Sequence, residues 1–167
     1  MDVQDKKAAL RMIPYGLFIL TGRSDENGAA AGAVNWVTQS SFDPPQVVVC
    51  VQKESFLHKV IEEAGHFALN AVGKSQEALA VRFFKPADVD GQKIGGYEFK
   101  LGSTGAPLLV DAPAYLECEL VGTLDTGDHS VFVGEVKEAY ADLEADVRPD
   151  ESILMLSDLE GEIFYGG

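Results

Sequence analysis

The sequence predicts a mainly β protein, an antiparallel β-barrel with a few peripheral α-helices. Strand candidates outnumber helix candidates, and the helices do not alternate regularly with strands as they do around a doubly wound parallel sheet. An Asn27-Gly28 step between two apolar runs is a strong hairpin signal. The run 115–122 alternates apolar with acidic residues, which indicates a strand with one buried and one solvated face.

The first half of the chain predicts a helix, a hairpin and two capped helices. Pro14 stops the first helix, and Ser55 and Gly65 have the residue types that favour the start and the end of a later one. A second capped helix starts at Ser75. Helices are expected over 3–12, 55–64 and 75–84, and strands over 15–21, 29–36, 47–52 and 66–72.

The second half of the chain predicts mostly strands. A polar, glycine-containing connection over 86–96 comes first, and Gly, Asp and Pro turns separate the apolar runs that follow it. The expected strands cover 97–101, 115–122, 130–140, 153–156 and 162–165.

Length and composition favour one domain over residues 1–167. The chain has 167 residues and is 46% hydrophobic, enough to bury a core, while no stretch reaches the roughly 18 to 20 apolar residues of a membrane span. The first residues lack a secretory pattern, so the cytoplasm is the expected compartment. Cys50 and Cys118 lie in strand-like runs without a C-x-x-C pair, which favours reduced core thiols over a bridge or a metal site.

The charge balance argues against polyanionic partners. A net charge of −14 with no basic run makes nucleic acid and anionic membranes poor partners. It does not forbid a small anionic ligand, because charges more than about 8 Å away are largely screened at physiological salt, so nearby N–H and lysine groups determine the local potential.

The segment 32–45 places many polar groups between two strand-like runs, more than a simple turn needs. These groups can read the edge of a planar heterocycle, and Trp36 can border such a ring or a subunit interface, or be a core residue. The polar side chains are those of Asn35, Thr38, Gln39, Ser40 and Ser41.

The junction after the run 47–52 suits a phosphate group. A helix starting at Ser55 directs unpaired N–H groups and the positive end of its dipole outward, and Lys53 adds a full charge. The alternative is that Ser55 only caps the helix while Lys53 is solvated. Together with the polar segment, the junction indicates a bound mononucleotide.

His129 lies in a turn that feeds a strand, beside Asp128. A histidine there can gate or protonate a redox ring, or simply face solvent. His58 and His66 flank Glu62 at four-residue steps, but Gly65 ends the helix before His66, so no metal site is expected.

Several common site motifs are absent or incomplete. No G-x-G-x-x-G follows the first strand and no G-x-S-x-G elbow is present. The 72–75 run imitates the end of a phosphate loop, but its earlier glycine position holds Ala68. Rossmann dinucleotide binding, serine hydrolysis and phosphoryl transfer are therefore disfavoured.

Six short motifs in order closely resemble the flavin reductase-like family over about residues 10–167. The resemblance is strongest to the branch with the flavin-reductase modules of diflavin proteins and their stand-alone relatives, which often close as 165–167 do here. The motifs are Tyr15-Gly16-Leu17, Asn35-Trp36-Val37-Thr38-Gln39, Phe42-Asp43-Pro44-Pro45, Phe67-Ala68-Leu69-Asn70, Gly127-Asp128-His129 and Val131-Phe132-Val133-Gly134-Glu135.

The resemblance implies an antiparallel FMN-binding split barrel of Greek-key type, a homodimer, and reduction of the flavin by NADH or NADPH. Cofactor contacts would come from Asn35, Trp36, Val37, Thr38, Gln39, Ser40, Ser41, Lys53, Ser55 and His58. His129 would lie near the nicotinamide pocket as the catalytic residue. Leu57 departs from a hydroxyl residue common in the family, which would weaken phosphate binding or shift it to backbone N–H groups.

The function expected from these observations is an FMN-dependent NAD(P)H:flavin oxidoreductase. Its electrons would pass to free flavin, to oxygen or to a redox partner protein. The alternatives are an FMN-binding electron carrier reduced by a protein donor, and a split-barrel protein that has lost FMN or holds another ligand such as haem.

Overall fold

The computed structural model describes residues 1–143, 145–161 and 163–165, and these form a mainly antiparallel β structure. The larger sheet has seven strands in the order β2-β1-β5-β10-β11-β4-β3. Its strands are β1 (Phe18–Ser24), β2 (Gly28–Val34), β3 (Val37–Phe42), β4 (Pro45–Gln52), β5 (His66–Ala71), β10 (Ala114–Asp125) and β11 (His129–Ala141). The prediction of a mainly β, antiparallel fold is confirmed.

A second sheet and short helices cover the larger sheet. The four strands of the second sheet are β6 (Val89–Asp90), β7 (Lys93–Ile94), β8 (Tyr97–Leu101) and β9 (Pro107–Leu109). The helices are α1 (Val3–Leu10), α2 (Phe56–Ala64), α3 (Glu77–Arg82) and α4 (Pro149–Ser152), and a 3₁₀ turn follows at Leu156–Asp158. No helix within the described residues is long and apolar enough to cross a membrane.

The strand order creates an opening in the larger sheet. Strands β2 and β3 lie at opposite ends of the sheet, yet only Asn35 and Trp36 separate them in the chain. The sheet must therefore curl until its two ends approach each other. The two ends form no β2–β3 ladder among the described residues, and the Cys50 amide donates to the Trp36 carbonyl at 3.0 Å, which continues the β3–β4 pairing to the residue before β3.

Two buried clusters hold the elements together. One packs α2 on β1, β4, β5 and β11 and includes Ile61, Phe67 and Phe132, each fully buried. The other lies under α3 and the second sheet and includes Leu17 and Phe83. Both clusters reach the open side of the larger sheet, so they hold the side chains on that side in position.

Helix α2 confirms the capped helix expected there. The Ser55 side chain accepts from the His58 amide, which satisfies one of the free N–H groups at the helix start. Gly65 ends the helix in the left-handed region, at φ 68°, a conformation that glycine adopts without steric cost.

Other local expectations were wrong in their details. The segment 37–42 is a strand, because its backbone pairs with β4 from Val37↔Val49 onward despite its polar side chains. The helix expected from Ser75 begins at Glu77, and its N-cap residue Gln76 makes no side-chain capping hydrogen bond. The connection over 86–96 contains β6 and β7.

The C-terminal region is less regular than expected. Ile153 and Met155 form isolated bridges rather than a strand, and residues 163–165 have no strand assignment. Glu162, which belongs to the expected 162–165 strand, and the closing Gly166 and Gly167 lie outside the described residues.

Candidate functional site

A cavity of about 520 Å³ lies at the open side of the larger sheet, between β2 and β4. Ligand-binding pockets commonly have volumes of roughly 300 to 1,000 Å³, with apolar walls and a few polar groups. Its walls are formed by residues 31–35, 50–52, 55–57, 83–87 and 163–165 together with Leu17 and Leu156. The split between the two ends of the sheet therefore forms a pocket large enough for a ring system.

The start of α2 supplies polar groups to this cavity. Ser55, Phe56 and Leu57 lie in its wall, and the first N–H groups of a helix have no partner within the helix. Lys85 also lines the cavity, and no carboxylate does so among the described residues. An anionic group is therefore favoured at this end, even in a chain of net charge −14.

Asn35 supplies an unpaired amide to the same cavity. Its side chain is only 6% exposed, and its Nδ2 atom has no hydrogen-bond partner among the described residues. Buried polar groups in native proteins are nearly always paired, so a group of this kind indicates a missing partner. A ligand with an acceptor at its edge would satisfy the Asn35 amide.

Most of the polar segment lies away from the cavity wall. Thr38, Gln39 and Ser40 are exposed on β3, and Gln39 Nε2 donates to the Ser41 carbonyl at 3.3 Å. Val37 packs against the core cluster that includes Phe132. The structure brings Asn35 to the cavity and leaves the four polar residues that follow Val37 on the outer edge of the sheet.

Lys53 is directed toward the turn between β10 and β11. Its Nζ atom lies 3.4 Å from Asp125 Oδ1, and its backbone N–H donates to the Asp128 carbonyl. The hydrogen bond from Ser130 and the nearby Lys53 charge lower the pKa of Asp125. Lys53 thus pairs with Asp125 and does not line the cavity, whereas Ser55, with which the sequence grouped it on one phosphate, does.

His58 belongs to a buried hydrogen-bonded chain rather than to the cavity wall. Its Nε2 atom lies 2.7 Å from Ser130 Oγ, and its Nδ1 atom lies 3.4 Å from Glu62 Oε2. The single hydroxyl hydrogen of Ser130 goes to Asp125, so Ser130 accepts from His58 Nε2–H. Ser130 is fully buried, which prevents this serine–histidine–carboxylate arrangement from reaching a substrate.

His129 contacts the cavity-lining residue Tyr165 and is hydrogen-bonded at both ring nitrogens. Nδ1 is 2.8 Å from Asp128 Oδ1 and Nε2 is 2.8 Å from the Tyr165 hydroxyl. The Trp36 ring packs beside both, with centroids 4.8 Å from His129 and 5.5 Å from Tyr165. Tyr165 lines the cavity, whereas His129 and Trp36 lie behind it.

Electrostatics support this arrangement. The hydrogen bond and the charge of His129 lower the pKa of Asp128, which keeps that carboxylate ionised as an acceptor. Burial, and then the nearby Asp128 charge, raise the pKa of Tyr165, which keeps the phenol protonated. A carboxylate can only accept, so His129 directs its Nδ1 proton to Asp128, and its Nε2 atom pairs with the phenol oxygen.

Sequence reasoning missed three parts of the wall. The loop 83–87 brings Phe84 and Lys85, the C-terminal residues 163–165 bring Tyr165, and β4 brings Cys50. Burial raises the pKa of the Cys50 thiol. A basic residue after a predicted helix and an aromatic run near the end of the sequence were the signals available for the first two.

A curled antiparallel sheet with an anion-favouring cavity at its open side defines a mainly β, ligand-binding protein with aromatic residues in the cavity wall. Residues 10–158 match the family model described as flavin reductase like domain. The chain belongs to the flavin reductase-like family.

Three relatives illustrate this membership. The chain is 34% identical over 161 residues to a ferric-chelate reductase (NAD(P)H) of Archaeoglobus fulgidus, covering 95% of this chain and 88% of that protein. It is 32% identical to diflavin flavoprotein A 1 of Synechocystis sp., covering 79% of this chain but only 23% of that protein. The structure of an NADH:FAD oxidoreductase from Streptomyces globisporus superposes with a TM-score of 0.67 at 30% identity, covering 77% of this chain and 71% of that one.

Proposed function

We propose that this protein is an FMN-dependent NAD(P)H:flavin oxidoreductase. The observation that carries the proposal is the cavity between β2 and β4, which is lined both by Asn35, whose amide has no partner among the described residues, and by the start of α2. The names of the ferric-chelate reductase and the NADH:FAD oxidoreductase, both relatives of this chain, support the same chemistry.

The residues of the cavity fit a phosphorylated flavin. We assign the Asn35 amide to the edge of the ring, and Ser55, Lys85 and the first N–H groups of α2 to the phosphate. Leu57 also lines this end, so backbone N–H groups replace the hydroxyl that the family often has there. Bound FMN would supply the hydride acceptor, and the cavity walls would exclude water and hold the nicotinamide against it.

The polar residues of β3 remain candidates for a role outside this cavity. Thr38, Gln39, Ser40 and Ser41 are on an edge strand, where they could reach a cofactor held between two subunits. Trp36, Val37, Lys53 and His58 would act indirectly, through the residues that they pack against or pair with. We centre the cofactor site on Asn35 and Ser55 and assign His129, the histidine that the resemblance indicates, to proton transfer at this site.

An absorption spectrum of the purified protein tests the proposal directly. We expect the purified protein to bind FMN and to show the flavin absorption band in the blue region of the visible spectrum. Anaerobic stopped-flow mixing with NADH or NADPH should bleach the bound flavin faster than it bleaches free FMN. A protein that neither binds FMN nor quenches its fluorescence would contradict the assignment.

A second function is favoured by the relationship to a diflavin flavoprotein, of which this chain spans only 23%. In a larger assembly the flavin could be reduced by a protein donor rather than by a nicotinamide. Bleaching by a reduced ferredoxin or rubredoxin, but by neither pyridine nucleotide, would identify such an electron carrier. Free flavin, oxygen, a partner protein and a ferric chelate are the acceptors to compare.

We also propose a cytoplasmic homodimer in which residues 1–167 act as one domain. Support comes from two free thiols and from a second, apolar groove on the larger sheet. Phe18, Leu116 and the stacked pair Tyr115–Tyr140 line the groove. Analytical ultracentrifugation should give twice the chain mass, and Leu116→Lys should reduce it to one chain.

A further inference from the structure

Tyr165 lines the cavity, where the resemblance led us to expect His129. The phenol ring lines the cavity, whereas both nitrogens of His129 are already engaged, one by Asp128 and one by Tyr165. A ligand in the cavity therefore meets the phenol first. His129 can reach it only through the Tyr165 oxygen.

We propose that Tyr165 is the catalytic proton donor of this site and that His129 acts through it. The proposal rests on the oxidoreductase function proposed above and adds the identity of the group that faces the ligand. The chain Asp128–His129–Tyr165 is continuous, with 2.8 Å between the paired atoms at each step.

The proton balance of the step follows from this chain. A bound nicotinamide would supply a hydride, and with it both electrons, so full reduction of the acceptor would need one proton more. The Tyr165 O–H bond breaks as that proton leaves, and a new O–H bond forms with the proton of a charged His129 at Nε2. His129 is left neutral with its Nδ1 proton on the Asp128 side, and it regains the Nε2 proton from water.

Packing holds the phenol in position for this role. The Trp36 ring lies 5.5 Å from the Tyr165 ring, and the Arg11 guanidinium stacks 3.7 Å over the neighbouring Phe164. The segment 163–165 is thus fixed at two adjacent residues.

The single tryptophan provides a readout without flavin or catalysis. Tyr165 covers the Trp36 ring, so Tyr165→Ala should shift the emission of the flavin-free protein to longer wavelength, whereas Tyr165→Phe should leave it unchanged. Unchanged emission in Tyr165→Ala would show that the phenol does not pack there in solution and would overturn the proposal.

The catalytic test compares Tyr165→Phe, His129→Ala and the double variant in single-turnover reduction of the bound flavin. Loss of a general acid costs about 10²- to 10⁴-fold in rate. Each single variant should slow the step by about 10²-fold with FMN affinity within threefold of the wild type. Because both residues act in one chain, the double variant should be no slower than the slower single variant.

Tyr97→Phe is the matched control: the Tyr97 ring packs on Phe83 of the cavity wall but does not itself line the cavity, and the change removes only the hydroxyl. It should leave the rate unchanged. A normal rate in Tyr165→Phe, or multiplicative losses in the double variant, would overturn the proposal while flavin binding and nicotinamide reduction in the wild type would still support the function. A wild type that does not bind flavin would instead refute the proposed function.

Discussion

Replacing Lys85 by glutamine should reduce the preference of the cavity for FMN over riboflavin. Lys85 lines the cavity that the start of α2 also lines, whereas Lys53 lies 3.4 Å from Asp125 in the β10–β11 turn. The two ligands differ only in the phosphate, so the ratio of their dissociation constants isolates the phosphate contacts. The wild-type protein should bind FMN more tightly than riboflavin.

The magnitude follows from the exposure of the lysine. A hydrogen bond to a charged group contributes about 1.5 to 3 kcal/mol, and exposed charges fall at or below the lower end of such ranges. Lys85 is exposed, so a loss of about 1.4 kcal/mol is expected, which is a tenfold weaker affinity for FMN. Riboflavin affinity should stay the same.

Fluorescence titration of the apoprotein with each ligand measures both constants, and Lys53→Gln is the matched control with the same chemical change. The Lys53 variant should keep the wild-type preference. A tenfold loss in Lys53→Gln with none in Lys85→Gln would refute the structural assignment and restore the lysine that the sequence first indicated. Raising the salt from about 0.05 to 0.5 M should reduce the wild-type preference, because it screens an exposed contact.

Three further predictions concern stability and reactivity. Gly134→Ala should lower the free energy of unfolding by about 2 kcal/mol and the Tm by about 6 °C, because the added Cβ would overlap the Phe67 ring. Gly127 has open space around it, so Gly127→Ala should change the Tm by less than about 1 °C in the same calorimetric experiment. Iodoacetamide should label Cys50 slowly, and bound FMN should protect this thiol because Cys50 lines the cavity. Burial raises the pKa of Cys118 to about 12, so Cys118 should stay unlabelled in the native protein. Equal labelling of both thiols, measured by mass spectrometry, would contradict this prediction. The pKa of Asp125 is lowered in the folded protein, so the ionised carboxylate stabilises the fold above pH 3.8, and this stabilisation is lost as the pH falls further. The Tm of Asp125→Asn should therefore differ from that of the wild type at pH 6, and the two values should converge toward pH 2.

The elements with local signals could be predicted from the sequence. Ser55 and Gly65 mark the two ends of α2, and Asn27-Gly28 marks the turn between the first two strands, because each residue type has a conformational preference of its own. Strand β3 could not be predicted in this way, since its place at the sheet edge depends on pairing with β4 and leaves its polar side chains in solvent.

The composition of the candidate site depends on long-range contacts. Asn35 and Ser55 were predicted to lie together, and both line the cavity. Lys53 was grouped with Ser55 because the two are neighbours in sequence, but the last residues of β4 direct the lysine side chain toward Asp125. The contact between Tyr165 and His129 joins residues far apart in the chain, and no periodicity or spacing could indicate it.

The contact of Arg11 with Phe164 brings the first helix and the final described residues to one rim. A purification tag or a fused module attached after residue 167 would begin only a few bonds from the entrance, where it would obstruct diffusion of large electron acceptors. Enzymologists comparing tagged and cleaved preparations should therefore expect turnover with bulky acceptors to respond to tag removal more than turnover with oxygen.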